Sequence, residues 1–201
     1  MIKQKLKKNI KIAITGGIGS GKSASLSILA ELGYSVVSCD EITANLYKKN
    51  RIKKQIKKLF PSAVKGRFFL QVDKKEIARL VFSNKENQEK LNNFLTPIIF
   101  EKCLKQANKS RGLVFVEVPL LFENNYQCFF DGVFVVLREK KTRIVSVKNR
   151  SSLTEEEVLL RIQSQIDYDN ADLSKYTIIE NKGDLKQLKK RLKQAVENLN
   201  F

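Results

Sequence analysis

A glycine-rich segment near the start of the chain has the residue types and the spacing needed to bind phosphate groups. Residues 16–23 read Gly-Gly-Ile-Gly-Ser-Gly-Lys-Ser and match the pattern G-x-x-x-x-G-K-[ST] at every fixed position. Glycines let backbone N–H groups curl around phosphate oxygens, and the start of the following helix adds a favourable potential. Lys22 can reach the terminal phosphates, and the Ser23 hydroxyl can bind Mg²⁺. The segment predicts a nucleoside triphosphate site whose contacts come from Gly17, Gly19, Ser20, Gly21, Lys22, Ser23 and Ala24.

Two carboxylates follow apolar segments that are predicted to be strands, at the edge where an open parallel sheet holds its ligands. Asp40 comes just after the segment 34–38 and can accept a proton from a hydroxyl nucleophile. It can also cap the next helix, and the two roles are compatible. Glu117 ends the apolar segment 113–116. It either binds Mg²⁺ or is satisfied by neighbouring side chains, and the sequence leaves both alternatives open.

Two arginines and one loop further along the chain suit nucleotide binding. Arg150 and Arg161 fall on an insertion after the fourth predicted strand and suit a lid that closes guanidinium groups over phosphates. Residues 181–184 read Asn-Lys-Gly-Asp, the N-K-x-D pattern with which GTPases read guanine. A GTPase also needs D-x-x-G after its third strand, but that place reads Glu-Val-Pro-Leu at 117–120. The GTPase alternative fails for this reason, although the loop at 181–184 can still lie against a purine.

The composition excludes several other kinds of chemistry. The chain of 201 residues contains no histidine, which excludes Ser-His and Cys-His catalysis and histidine metal ligands. Its three cysteines lie far apart in the sequence and form no C-x-x-C pair. They therefore predict neither a zinc site nor a disulfide framework, and we interpret them as buried or incidental thiols.

The net charge of +17 is concentrated in three lysine-rich clusters, near the N-terminus, at 48–58 and at 186–193. We interpret these clusters as a solvated surface, because lysine outnumbers arginine and no aromatic ladder is present for base stacking. A polyanionic small substrate would also benefit from this field. The chain has no apolar run of the ~20 residues that a membrane span needs, and its start lacks the pattern of a signal peptide. We expect a cytoplasmic protein with no membrane partner.

Apolar segments alternate with helical patterns along the chain, which favours a doubly wound α/β fold. Five strands are predicted, at 10–14, 34–38, 113–116, 132–137 and 177–179. A helix is predicted over 22–32, and apolar residues at 185, 188, 192, 196 and 199 form the stripe of a last helix. Thr154 to Glu157 is predicted to be a capping box, followed by a helix with Val158, Ile162 and Ile166 on one face. Arg161 and Gln165 would share another face of that helix.

Longer stretches of the chain resemble a known family of kinases, in the same order along the sequence. After residues 14–23, the stretches that match are 37–40, 81–82, 91–95, 118–123, Asp131, Arg150, Arg161 with Gln165, and Asn181 with Gly183. Together they resemble the dephospho-coenzyme A kinases from about Ile10 to the last helix. The phosphate-binding loop is generic, whereas the segment Pro-Leu-Leu-Phe-Glu at 119–123 and the ordered remainder are specific.

This resemblance implies that the chain transfers the γ-phosphoryl group of ATP to the 3′-hydroxyl of dephospho-coenzyme A, with Mg²⁺. It implies a P-loop NTPase-type, five-stranded parallel sheet built from 10–40, 113–140 and 171–201, after a basic N-terminal extension at 1–9. A helical acceptor domain would occupy 41–112, and a small helical lid would occupy 141–170. By the same resemblance, Asp40 is the catalytic base, Lys22 stabilises the transition state and Ser23 binds the metal. Arg150 and Arg161 are lid contacts, and Asn181 and Gly183 belong to the adenine loop.

The chain departs from the family pattern at three places. Thr96 precedes Pro97 where the family usually has histidine, and Lys74 replaces an arginine of the acceptor domain. In the lid, Ser146 stands where a further arginine is expected, with Arg143 or Lys148 as substitutes. These changes bear on acceptor affinity more than on the reaction. The alternatives are a kinase for a nucleoside or nucleotide and, from another class, a nucleic-acid-binding ATPase. We favour a monomer, although the sequence leaves the oligomeric state open.

Overall fold

The computed structural model describes residues 9–151 and 153–199, and the chain divides into two compact units. One unit contains the chain up to Ser38 together with the chain from Lys105 onward. The other is the insertion Cys39–Leu104. Of the basic N-terminal extension predicted at 1–9, all but Asn9 lies outside the described residues.

The first unit is built on a sheet of five parallel strands: β1 (Ile10–Thr15), β2 (Ser35–Ser38), β5 (Leu113–Glu117), β6 (Gly132–Leu137) and β7 (Thr177–Glu180). The strand order across the sheet is β2-β5-β1-β6-β7. All five predicted strands are therefore present. The central strand β1 lies between β5 and β6, so the strand order reverses at its carboxyl end. Open parallel sheets bind their ligands at this kind of position.

The core of the first unit explains why its strands read as continuous apolar runs. Side chains on both faces of β1, β5 and β6 are buried, as expected for a parallel sheet that is covered on both sides. Helices α1 (Lys22–Glu31) and α8 (Leu185–Glu197) contribute to the same core. Fully buried members include Ile12, Ile14, Leu29, Phe115, Phe134, Ile179, Leu188 and Leu192.

Two further helices of this unit differ in length from the sequence pattern. Helix α6 (Lys140–Arg150) precedes α7 (Glu155–Gln163), which begins with the predicted capping box of Thr154 and Glu157. Because α7 ends at Gln163, the prediction that Gln165 and Ile166 lie on its faces is wrong. The stripe of α8 is likewise shorter than predicted: Leu188, Leu192 and Val196 are buried, Leu185 is exposed, and Leu199 lies past the end of the helix.

The second unit is mainly helical. It contains α2 (Cys39–Tyr47), α3 (Asn50–Leu59), α4 (Lys74–Phe82) and most of α5 (Lys85–Ala107). Between α3 and α4, β3 (Val64–Lys65) and β4 (Gln71–Val72) form an antiparallel hairpin that the sequence pattern did not predict. Strands of two residues are too short to show alternation. Within the described ranges, no helix has both the length and the apolar character needed to cross a membrane.

Candidate active site

The phosphate-binding loop joins the end of β1 to the start of α1, as its sequence predicts. Lys22 is the first residue of α1, and its Nζ donates hydrogen bonds to the carbonyl oxygens of Gly16 at 2.7 Å and Gly17 at 3.0 Å. The ammonium group therefore lies within the loop itself. Bound phosphates would offer Lys22 stronger, charged acceptors in place of these carbonyls.

Asn181 holds the loop from the side of the sheet. It follows β7, where its backbone N–H donates to the carbonyl oxygen of Leu137 at 2.7 Å. Its side-chain Nδ2 donates to the carbonyl oxygen of Ser20 at 2.7 Å, and the residue is buried. Gly21 has a φ of 103°, and a Cβ there would lie 2.2 Å from Nδ2 of Asn181. The position of the Asn181 amide thus requires a glycine at position 21. The contact of Asn181 with the adenine stays a prediction.

The rest of the predicted adenine loop continues from Asn181 along the surface. Gly183 has a φ of 83°, which favours glycine in the turn before α8. Arg191 of α8 donates from Nη1 to the carbonyl oxygens of Glu180 at 2.9 Å and Lys182 at 2.7 Å. This contact fixes the backbone of the loop on both sides of Asn181. The role of Gly183 in nucleotide binding also stays a prediction.

Three oxygen-bearing side chains meet at the carboxyl edge of the sheet. Glu117, the last residue of β5, is only 2% exposed. Its Oε1 accepts a hydrogen bond from Ser23 Oγ at 2.9 Å, and its Oε2 accepts one from Ser38 Oγ at 3.2 Å. The predicted metal residues Ser23 and Glu117 are therefore in contact, and Ser38 is a third member that sequence reasoning missed. Only its place at the end of a predicted strand could have indicated it.

The chemistry of these donors fits Mg²⁺. Hydroxyl and carboxylate oxygens are the hard ligands that Mg²⁺ prefers, and it binds through one or two carboxylates together with substrate phosphates. Among residues 9–151 and 153–199 there is no cluster of three or more His, Cys, Asp or Glu side chains that would hold a metal ion. A metal at Glu117 would thus depend on oxygens from the nucleotide and from water.

Arg143 of α6 packs directly against the phosphate-binding loop. Its side chain is only 4% exposed, and Nη2 forms an ion pair with Asp169 Oδ2 at 3.2 Å. A Cβ on Gly17 would lie 2.1 Å from Nη1 of Arg143, so the guanidinium group occupies the space beside that glycine. Within the described part of the chain, Nε of Arg143 is buried without a hydrogen-bond partner. The arginine therefore has one buried donor that no described residue accepts from.

Arg143 is one of the two substitutes considered for the arginine that Ser146 replaces. The other, Lys148, is exposed and pairs with Glu155 at 2.9 Å. Ser146 accepts a hydrogen bond from Arg138 Nη1 at 2.9 Å. Of the two candidates, the structure brings Arg143 to the loop. The sequence could not decide between them, because the choice depends on which face of α6 points inward.

An irregular segment after α7 covers the same loop. Gln165 Oε1 accepts a hydrogen bond from the backbone N–H of Ile18 at 2.7 Å, and Glu123 Oε1 accepts one from the N–H of Ile166 at 3.0 Å. The Tyr168 hydroxyl lies 3.4 Å from Thr15 Oγ1 at the end of β1. Burial is the main cause that raises the pKa of Tyr168 to about 12. Tyr168 is thus a neutral hydrogen-bonding group near the loop at physiological pH.

The two predicted lid arginines lie on the pair of helices α6 and α7. Arg150 is the last residue of α6, and Arg161 lies in the last turn of α7. Burial lowers the pKa of Arg161, Glu157 opposes this by raising it, and the positive charge of Arg150 lowers it further. Arg150 thus lies close enough for its charge to act on Arg161, and two neighbouring positive charges favour a bound anion.

Asp40 belongs to the second unit. Helix α2 begins at Cys39, so exposed Asp40 lies inside its first turn. The alternative that Asp40 is the residue capping this helix is therefore wrong. A carboxylate in the first turn still interacts favourably with the helix dipole. The role of Asp40 as catalytic base stays a prediction.

Comparison with known proteins decides the family. A family model described as dephospho-CoA kinase matches residues 10–187. The chain belongs to the dephospho-CoA kinase family. A dephospho-CoA kinase of Thermus thermophilus is 34% identical over 191 residues, which cover 94% of this chain and 92% of the relative. One from Helicobacter pylori is 32% identical over 193 residues, with 94% and 96% coverage.

Solved structures agree with this membership. A Thermus thermophilus protein superposes with a TM-score of 0.79 at 34% identity, covering 97% of this chain and all 100% of that one. A dephospho-CoA kinase from Campylobacter jejuni gives 0.64 at 27% identity, with 93% and 95% coverage. A shikimate kinase from Acinetobacter baumannii, at 18% identity and a TM-score of 0.51, shares the fold alone. The predicted family and the predicted α/β fold are confirmed.

Proposed function

We propose that this chain transfers the γ-phosphoryl group of ATP to the 3′-hydroxyl of dephospho-coenzyme A. One observation carries the proposal: in a member of this kinase family, Lys22, Arg143 and the Glu117–Ser23 pair converge around a phosphate-binding loop. In-line phosphoryl transfer depends mainly on positioning and on neutralising charge. The cations Lys22 and Arg143, together with the proposed metal-binding carboxylate of Glu117, supply both the positioning and the charge neutralisation.

The reaction assigns a separate task to each side chain. Asp40 takes the proton of the acceptor hydroxyl as its oxygen bonds to the γ-phosphorus, and the bond from that phosphorus to the β–γ bridging oxygen breaks to release ADP. Lys22 and Arg143 stabilise the charge on the transferring group. Arg150 and Arg161 bind phosphate oxygens from the lid, whose closure excludes water. The loop at Asn181 and Gly183 holds the adenine.

Ser23 and Glu117 would hold Mg²⁺, which supplies charge neutralisation on the β- and γ-phosphates. Glu117→Gln keeps the shape of the side chain but removes its charge, so the Mg²⁺ concentration for half-maximal activity should rise by ~10-fold or more. Ser38→Ala, which removes one hydroxyl next to the same carboxylate, should change it much less. Equal Mg²⁺ dependence of wild type and Glu117→Gln would remove Glu117 from the metal site.

The second unit is proposed to bind the acceptor. It carries Thr96 and Lys74, which stand where the family has histidine and arginine, and Lys74 Nζ lies 5.5 Å from the ring centroid of Tyr47. A lysine binds phosphate as a point charge and lacks the two-pronged geometry of arginine. Lys74→Arg is therefore expected to lower the KM for dephospho-coenzyme A, with kcat unchanged.

An acceptor panel tests the assignment. The protein is incubated with Mg²⁺-ATP and, separately, with dephospho-coenzyme A, adenosine, AMP and shikimate, and ADP release is followed. We expect kcat/KM for dephospho-coenzyme A to exceed the values for adenosine, AMP and shikimate by ~10³-fold or more, as for a site that binds one polar acceptor specifically. A nucleoside or nucleotide with an equal or higher kcat/KM would replace the acceptor. Phosphorylation at a hydroxyl other than the 3′ position would contradict the chemistry.

We also propose a monomer that works in the cytoplasm, where ATP is plentiful. Light scattering of the purified protein should give a mass near 23.1 kDa. A mass near twice this value that persists on dilution would contradict the monomer.

A further inference from the structure

Two cysteines that are far apart in the sequence meet inside the second unit. Cys39 is the first residue of α2, and Cys103 lies near the end of α5. Their Sγ atoms are 2.8 Å apart, although 64 positions separate them in the chain. Neither cysteine is in a disulfide, and both are buried, with exposures of 5% for Cys39 and 0% for Cys103. Each sulfur is therefore already in contact with the atom to which it would bond.

The position of the pair in the chain is special. The second unit begins at Cys39 and ends at Leu104, so the two thiols mark where the chain enters this unit and where it leaves it. Asp40, the proposed base, follows Cys39 directly in the first turn of α2. A covalent bond here would tie the two ends of the unit together and fix the backbone next to Asp40.

We propose that Cys39 and Cys103 form an intramolecular disulfide when the protein meets hydrogen peroxide. Peroxide oxidises one thiol to a sulfenic acid and releases one water; the second thiol then attacks that sulfur and releases a second water. Two thiols and one peroxide thus give one disulfide and two waters. The sulfur atoms need to approach by less than about 1 Å to reach bonding distance. Disulfides in reducing compartments are usually transient and redox-sensing, which fits a reversible modification.

The third cysteine offers a matched control. Cys128 is exposed in the first unit, and its Sγ donates a weak hydrogen bond to the carbonyl oxygen of Asn125 at 3.6 Å. Exposure alone would make Cys128 the most accessible thiol to peroxide. Contact makes Cys39 and Cys103 the pair that ends as a disulfide. We therefore expect the link between Cys39 and Cys103, although Cys128 is the most exposed of the three cysteines.

The oxidised protein has two expected properties. The bond closes a loop of more than 60 residues in the unfolded chain, so the midpoint of thermal unfolding should rise. Turnover should fall by ~10-fold or more, because a displacement on the order of 1 Å at a catalytic group costs up to about 10²-fold. The fall in turnover rests on the function proposed for Asp40. The disulfide itself does not.

The test uses the full chain, treated with hydrogen peroxide and then unfolded for thiol counting. Wild type and Cys128→Ser should each lose two thiols with a mass decrease of about 2 Da, and peptide mapping should link Cys39 to Cys103. Cys103→Ala should show no such link and should keep its turnover after treatment. Dithiothreitol should restore thiols and turnover in the wild type. Cys103→Ser repeats the comparison if Cys103→Ala does not fold.

Retention of all three thiols, or a link that involves Cys128, would overturn the disulfide. A Cys39–Cys103 link with unchanged turnover would overturn its effect on Asp40. If the reduced protein has no kinase activity, the proposed function fails, and the thiol count still decides the disulfide because it needs no turnover.

Discussion

Removal of the Arg143 side chain should separate catalysis from stability. In Arg143→Ala the guanidinium group no longer lies beside Gly17, and its ion pair with Asp169 is lost. Asp169 is half-exposed, with a side-chain exposure of 50%, so water can solvate its carboxylate after the change. The loss of unfolding free energy should therefore stay near the low end of about 1–3 kcal/mol for a charged hydrogen bond.

The effect on the reaction should be larger than the effect on folding. A hydrogen bond from a guanidinium group to a phosphate contributes about 1.5–3 kcal/mol, which corresponds to a decrease in kcat/KM for ATP of about 10- to 100-fold. Arg143→Lys keeps the charge but loses the planar, two-pronged donor, so its kcat/KM for ATP should lie between the values for wild type and Arg143→Ala. Steady-state kinetics at saturating dephospho-coenzyme A and variable ATP measure these values.

A neighbour on the same helix supplies the control. Lys141 is exposed on α6, and Lys141→Ala should leave kcat/KM within about 2-fold of wild type, as expected for a screened surface charge. Thermal unfolding of each variant checks that the fold is intact. A folded Arg143→Ala with wild-type kcat/KM, or with a lower KM for ATP, would refute the role proposed for Arg143. Equal losses in Lys141→Ala would show that general charge, not contact with the loop, decides the rate.

Three other substitutions test separate parts of the site. Asp40→Asn should lower kcat by ~10²-fold or more, with ATP affinity by calorimetry unchanged, and retained turnover would exclude Asp40 as base. Asn181→Ala leaves the Ser20 carbonyl oxygen without its donor and should lower the unfolding free energy in urea by about 1–2 kcal/mol; no change would show that the bond is dispensable. Tyr168 has its pKa raised from 10.0 to about 12, so the native state keeps a proton that the unfolded state loses. The contribution of Tyr168 to the free energy of unfolding is complete below pH 10 and is lost as the pH rises towards 12. In denaturant titrations over this range, Tyr168→Phe should therefore lose roughly 2–3 kcal/mol less stability than wild type. Parallel plots of unfolding free energy against pH for the two proteins would contradict this.

The parts of the structure that the sequence predicts are those with local causes. The strands are apolar runs because both faces of the sheet are covered, so 10–14, 113–116 and 132–137 could be recognised without periodicity. The phosphate-binding loop could be recognised because its glycines and Lys22 have fixed spacing between a strand and a helix. Family resemblance extended this local signal to the whole chain.

The parts that the sequence does not predict depend on contacts between distant residues. Cys39 and Cys103 touch across 64 positions, and no pattern in either segment indicates it. The sequence pattern extended α7 to Gln165 and placed it on one face with Arg161, but the helix ends before Gln165. The amide oxygen of Gln165 instead accepts a hydrogen bond from the backbone N–H of Ile18. The contact of Arg143 with the loop likewise needs the packing of α6.

Simultaneous measurement of ADP and coenzyme A shows whether the chain phosphorylates dephospho-coenzyme A. The purified protein is mixed with Mg²⁺-ATP and dephospho-coenzyme A, and ADP and coenzyme A are quantified in the same samples over time. We expect the two products to appear in equal amounts and neither to form without the acceptor. ADP released without coenzyme A, or at the same rate when dephospho-coenzyme A is omitted, would contradict it.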